Sequence, residues 1–115
     1  MPITIYKPFS VVVVPFPFTD STKTKRRPAL VLSSEEQQQH TKHITLAMIT
    51  SAKHSEWFGD CNITDLEKTG LTAESVIRQK IFTLDSRLII NSIGALSVTD
   101  RKNAIKKIQR HFNAW

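Results

Sequence analysis

The chain has a single cysteine, Cys61, among its 115 residues. It can therefore form no internal disulfide, and no paired-cysteine motif is available to hold a metal. Its four histidines, at positions 40, 43, 54 and 111, show no HxxxH or HExxH spacing. His40 and His43 would point to opposite faces of an extended strand. Glycine is almost as scarce: three residues form neither a GxxxxGK[ST] loop nor a GxGxxG turn, and no GxSxG elbow appears. These gaps argue against a metal, a nucleoside triphosphate, a dinucleotide or any other cofactor. Long apolar runs are missing too. The longest, Val11 to Phe18, is far short of the roughly 20 residues that span a bilayer. The opening "MPITIYKPFS" has no basic segment followed by a leucine-rich core, so no secretory signal is expected. A reducing cytoplasm fits these absences. The length is that of one domain, 1–115, with one core.

What the chain does have is positive charge: 16 Lys and Arg against 10 Asp and Glu, a net +6, a balance that favours polyanionic partners. The charge is concentrated in two places. Residues 101–110, "RKNAIKKIQR", hold five cations and no anion, and read first as the solvated face of a helix. Residues 19–27, "TDSTKTKRR", set Lys23, Lys25, Arg26 and Arg27 against Asp20. This second cluster ends on Arg27, just before Pro28 and the aliphatic "ALVLS". A guanidinium held at the threshold of a buried strand is costly unless an anion meets it.

Strand signals dominate the pattern. Val11–Val14 is a β-branched run closed by Pro15 and Pro17. Ala29–Ser33, His43–Thr50, Trp57–Thr64, Ser75–Leu84 and Leu88–Ala95 supply five more strands, and "EEQQQH" is too short to count as a low-complexity tract. A helix opens at Ser97, with Asp100 three residues on in the manner of a capping box. Ala104, Ile108, Phe112 and Trp115 form its apolar face, and Lys102, Lys106 and Arg110 a basic one. The expected fold is mainly β, a small barrel or curled sheet closed by a C-terminal helix. Arg27 and Thr50, each at a strand end, could be brought together by the curl. His54, near Thr50, offers acid–base cleavage of RNA as a separate route.

"VVVVPFPFTDSTKTKRRPALVLS", "LAMITSA", "ESVIRQKIFTLD" and "IGALSVTD" together resemble the PemK/MazF family of type II toxin–antitoxin toxins, in order and spacing and over nearly the whole chain. The resemblance implies an SH3-like barrel that forms a homodimer and cuts single-stranded RNA at short motifs without a metal. It also implies silencing by a cognate antitoxin, expected to be acidic and flexible. Carried over residue by residue, it makes Arg27 and Thr50 the catalytic pair. The family commonly opens its first strand on a Gly-Asp pair, where this chain has Phe9 and Ser10.

The chemistry of the residues is compatible with that implication. RNA carries its own nucleophile, the 2′-hydroxyl beside each phosphate, so a protein need only position the group and stabilise charge. Arg27 has a permanently charged fork of donors suited to phosphate oxygens, and Thr50 could hold a second oxygen. Lys23, Lys25 and Arg26 would meet flanking phosphates, Phe16 or Phe18 could stack on an unpaired base, and Arg78 is a further RNA-binding candidate. Two other readings stay open: a non-catalytic single-strand-binding barrel, and a toxin of similar fold that poisons gyrase through its C-terminal helix, with "HFNAW" as the docking segment.

Overall fold

Four consecutive valines decide where the sheet is thickest. In the computed structural model, which describes residues 2–16, 25–53 and 56–113, Val11 faces one side of the sheet, Val12 and Val14 the other, and all three are at most 1% exposed. Branching at Cβ stiffens such residues in the extended conformation. Full burial of each is worth about 1.5–3 kcal/mol. Strand β1 (Ser10–Phe16) is therefore central, flanked by β2 (Lys25–Val31) and β6 (Asn91–Ala95). Strands β3 (His43–Ser51), β4 (Cys61–Asn62) and β5 (Ser75–Asp85) complete a six-stranded sheet of order β4-β5-β3-β2-β1-β6, antiparallel throughout.

Each face of the sheet has its own core. Val11, Leu30, Ala47, Ile49 and Ile77 pack on one side with Leu96 and with Ala104 of helix α3 (Val98–His111). Val12, Val14, Ala29, Val31, Ile44 and Leu46 pack on the other, with Tyr6 and Phe82 alongside. The sheet curls until helix α2 (Leu66–Thr69), which follows one edge strand, lies on the other. A Cβ at Gly94 of β6 would collide with the Lys68 carbonyl and Thr69 backbone of α2. Only glycine permits that approach. The mainly β, curled architecture with a C-terminal helix is as expected.

Several boundaries differ. Strand β2 starts four residues before the expected Ala29, because pairing with β1 continues through Pro15↔Arg26 to Phe16↔Lys25. The fourth strand shrinks to Cys61–Asn62, since Trp57–Asp60 closes a turn through an Asp60 N–H to Trp57 C=O bond of 3.0 Å. The sixth begins only at Asn91, after a 3₁₀ turn at Ser86–Leu88. "EEQQQH" is most of a helix, α1 (Glu35–Thr41), so His40 is helical and the strand argument for His40 and His43 does not apply. Ser97 caps α3 as expected, accepting the Asp100 N–H at 3.1 Å. The apolar face of α3 is narrower than its periodicity suggested: Ala104 is buried but Phe112 is 47% exposed, and Trp115 lies outside the described residues.

Phe9 explains how the chain enters β1 without the Gly-Asp pair. Its φ is 68°, the left-handed region that glycine occupies freely and other residues enter at about 1–2 kcal/mol. The conformation is held on both sides, with the Phe9 N–H donating to Val31 at 2.7 Å and its carbonyl accepting from Leu96 at 3.0 Å. Its ring packs on the core and lies 5.3 Å from the Arg101 guanidinium. Phe9→Ala and Phe9→Gly lose the same ring, but only alanine keeps the strain. Urea denaturation should therefore show the glycine variant more stable than the alanine variant by about 1 kcal/mol.

Candidate active site

Register directs Arg27 and Thr50 to the same end of the sheet. β2 and β3 pair as Ala29↔Met48, Leu30↔Ala47 and Val31↔Leu46, and the same register continued two residues past Ala29 sets Arg27 across from Thr50. The ladder itself begins at Ala29, next to Pro28, which has no N–H to donate. Beyond it β2 follows β1 alone, so no ladder bonds join the strands where these two side chains stand. Strand alternation puts Arg27 and Thr50 on the face of Ala29 and Leu46.

Arg27 differs from expectation in one respect: it is exposed. It lies inside a strand on a two-stranded ribbon, so its guanidinium stays hydrated and carries no burial cost. Among the described residues no hydrogen bond or ion pair engages it. Its five donors are therefore available to an anion. Thr50 is half-buried, and its hydroxyl has no hydrogen-bond partner among the described residues. Lys25, exposed, shares the face of Arg27, whereas Arg26 points to the opposite face and is not part of this cluster. Phe16 is half-buried opposite Lys25. Phe18, Lys23 and His54 lie outside the described residues.

Arg78 is brought to the same face, since it pairs with Met48 while its neighbour Val76 pairs with Thr50. Its guanidinium is committed to Asp60, with Nε at 3.2 Å from Oδ1 and Nη2 at 2.9 Å from Oδ2. These hydrogen bonds hold the Arg78 pKa above its ordinary value against a smaller opposing effect of burial. Asp60 was not legible as a site residue. It is placed by the turn at Trp57, whose N–H donates to Oδ2 at 3.2 Å. Trp57 in turn lies under Lys80, with Nζ 4.6 Å from the ring centroid. A cleft of about 470 Å³ opens here, lined by Ala52, Trp57, Asp60, Val76, Arg78 and Lys107 among others. Val76, the ladder partner of Thr50, lines one part of it and Lys107 of α3 another.

The chemistry available at this site is narrow. Cys61 is buried, which pushes its thiol pKa up, the reverse of an activated thiolate. Among the described residues no His, Cys, Asp and Glu side chains cluster as a metal site would require. What β2 and β3 carry on one face is a guanidinium and a hydroxyl, both uncommitted among the described residues, and a lysine. That set suits binding and charge stabilisation of a phosphate group.

The pattern of PemK-like, MazF-like toxins of type II toxin–antitoxin systems matches residues 7–112. No curated protein sequence matches. Among solved structures, MazF from Deinococcus radiodurans is 16% identical with a TM-score of 0.73, covering 96% of this chain and 98% of that one. The Mycobacterium tuberculosis toxin MazF-mt6 is 20% identical with a TM-score of 0.72, covering 92% of this chain and 99% of that one. A mycobacterial endoribonuclease in complex with its cognate antitoxin is 11% identical with a TM-score of 0.73, covering 98% and 99%. At such identities the likeness establishes the fold alone. The family pattern, however, runs from before β1 to the end of α3, and on that ground the chain belongs to the PemK/MazF toxins of type II toxin–antitoxin systems.

Proposed function

We propose that this toxin is a sequence-specific endoribonuclease that cuts single-stranded RNA by attack of the RNA's own 2′-hydroxyl, with no metal in the reaction. One feature carries the reading: an exposed Arg27 and a half-buried Thr50, neither with a side-chain partner among the described residues, on strands whose register, continued past Ala29, would set them opposite each other. In the reaction the 2′-hydroxyl gives up its proton to solvent as its oxygen attacks phosphorus in line, and the 5′-oxygen of the next nucleotide leaves and takes a proton from solvent. Negative charge builds on the non-bridging oxygens. The Arg27 fork meets that charge in the transition state, which is where stabilisation accelerates a reaction. The Thr50 hydroxyl donates to the phosphate and fixes its orientation. Lys25 holds a neighbouring phosphate, with Lys23 and Phe18 assigned to the RNA strand from the sequence and Arg78 to the flank beyond Thr50.

The protein acts as a homodimer in the cytoplasm and is held silent by an acidic antitoxin whose flexible segment covers the basic strand β2. A mycobacterial endoribonuclease of the same fold is complexed with its cognate antitoxin, which supports this part of the reading.

Incubation of the purified toxin with mixed-sequence RNA in excess EDTA tests the chemistry. The upstream fragments should end in 2′,3′-cyclic phosphate and the downstream ones begin with a free 5′-hydroxyl. Fragments ending in a 3′-hydroxyl, or RNA left intact, would overturn it.

A further inference from the structure

Residues 101–110, with five cations and no anion, form a helical surface that the candidate site leaves unused. On α3, Asn103, Lys106, Lys107 and Arg110 recur at i, i+3, i+4 and i+7 and so make one stripe about 10 Å long. Lys106 and Arg110 are exposed and Lys107 is half-buried. Among the described residues none of these three cations forms an ion pair or a side-chain hydrogen bond. Lys102, Lys106 and Arg110 follow one another at a single turn, and like charges so placed destabilise a helix. The helix dipole offsets that at Arg110, in the last turn, but it fades before Lys106 and Lys102. The helix by itself therefore gives no reason for the stripe.

The stripe faces open concave surface. A cleft of about 390 Å³ is lined by Asn62 and Thr64 and, from α3, by Asn103, Lys106, Lys107 and Arg110. Asp60 also lines it, but its carboxylate is engaged by two hydrogen bonds from Arg78, so the cleft is left with a net positive charge. Another cleft, of about 270 Å³, shares Lys106 and Arg110 and adds Gln109 and Asn113. Lys107 belongs as well to the cleft lined by Val76, the ladder partner of Thr50, and by Arg78. The stripe thus shares a cleft wall with the surroundings of the candidate site.

We propose that the α3 stripe is a sequence-independent binding track for the sugar–phosphate backbone of the RNA that flanks the cut site. Successive phosphates rest on Lys106, Lys107 and Arg110, and the exposed amides of Asn62 and Asn103 donate to phosphate or sugar oxygens. The inference deepens the endoribonuclease reading and rests on it for the choice of polyanion. An acidic peptide would meet the same cations, but a flexible peptide gains its affinity by seating apolar anchors in pockets. Neither of the two clefts along the stripe offers such a pocket: every residue lining them is polar or charged except Cys61, which is buried. A phosphate backbone needs no pocket, because release of its counterions drives binding.

The test titrates uncleavable, mixed-sequence 2′-O-methyl RNA of about sixteen nucleotides by fluorescence anisotropy over a series of salt concentrations. For Lys106→Gln/Lys107→Gln/Arg110→Gln, with folding verified by its melt, the plot of log affinity against log salt should be shallower than wild type by about 2, three phosphate contacts at about 0.7 each. Lys7→Gln/Lys42→Gln/Lys68→Gln removes the same charge from exposed positions elsewhere and should keep the wild-type slope. Should the first variant melt early, Lys106→Gln and Arg110→Gln taken singly, each expected to flatten the slope by about 0.7, answer the same question. Equal slopes in the two triple variants, whether steep or shallow, would overturn the track. If the RNA slope is unchanged in the α3 variant while a labelled glutamate peptide binds the wild type and not that variant, the face docks an acidic peptide and the track is again overturned. Cleavage of mixed-sequence RNA by the wild type, followed in parallel, tests the underlying reading separately. A flattened α3 slope with that RNA left intact overturns the cleavage and keeps the track, and cleavage with equal slopes does the reverse.

Discussion

Arg27→Ala should slow RNA cleavage by about 10² to 10³, roughly 3 to 4 kcal/mol, the scale on which one transition-state charge donor acts. Folding should be nearly untouched. The side chain is exposed and pairs with nothing among the described residues, so its loss costs no packing and strands no partner. Surface changes of this kind stay within about 0.5 kcal/mol, a shift of a few degrees in melting temperature. A single-turnover rate measured beside a thermal melt separates the two effects, and a large melt shift would assign Arg27 a structural role instead. Arg27→Lys should recover only part of the rate, because a point charge replaces a planar fork. Thr50→Ala should also slow the reaction, and Thr50→Ser should restore most of it by returning the hydroxyl. On the substrate side, a 2′-deoxy nucleotide at the cut site should abolish cleavage altogether, since the nucleophile is gone. Should His54→Ala silence the toxin while Arg27→Ala leaves it active, a histidine mechanism replaces this one.

Local patterns were legible where they act locally. "HITLAMIT" became β3 to within one residue, and the valine run became the middle of β1, which does not close at Pro15 but continues to Phe16 along β2, because branching and alternation mark a strand while its ends depend on pairing. Ser97 was readable as a cap for the same reason. Ser34 carried an equal signal: followed by Gln37 at capping-box spacing, it accepts that residue's N–H at 3.0 Å and starts α1. Within α1, Gln38 is fully buried and bridges the Tyr6 backbone to the Ser33 carbonyl. Nothing in "EEQQQH" distinguishes that glutamine from its neighbours. Arg27 and Thr50 lie between these cases. Each residue could be singled out, but the face each takes depends on a register between distant strands, which no local pattern specifies. Asp60 was invisible too, because a turn stands where a strand was expected and the residue meets Arg78 only once β5 is paired.

The other large effect concerns Asp100, which is 0% exposed. Asp100→Ala should lower the unfolding free energy by about 3 kcal/mol. The carboxylate accepts the Thr64 N–H at 3.0 Å, the Thr64 hydroxyl at 2.7 Å and the Asp65 N–H at 2.9 Å, tying the start of α3 to the loop that enters α2. Alanine would leave these donors unpaired at the seam that closes the curled sheet. Burial by itself would raise the Asp100 pKa, but the hydrogen bonds from Asp65 and Thr64 outweigh it and hold the pKa below its ordinary value. A depressed carboxylate contributes stability that is complete above the unfolded-state pKa of about 3.9 and is lost as pH falls through the folded value. Asp100→Asn supplies the comparison, since it keeps the shape but cannot ionise. At pH 7 urea denaturation should show wild type well above Asp100→Asn, and the gap should narrow as the pH is taken below about 4. The half-buried Asp85, held low by its hydrogen bonds with Arg87, titrates in both proteins and cancels from the difference. A gap that stays constant from pH 7 to pH 3 would mean that the Asp100 charge contributes nothing and that only its shape matters.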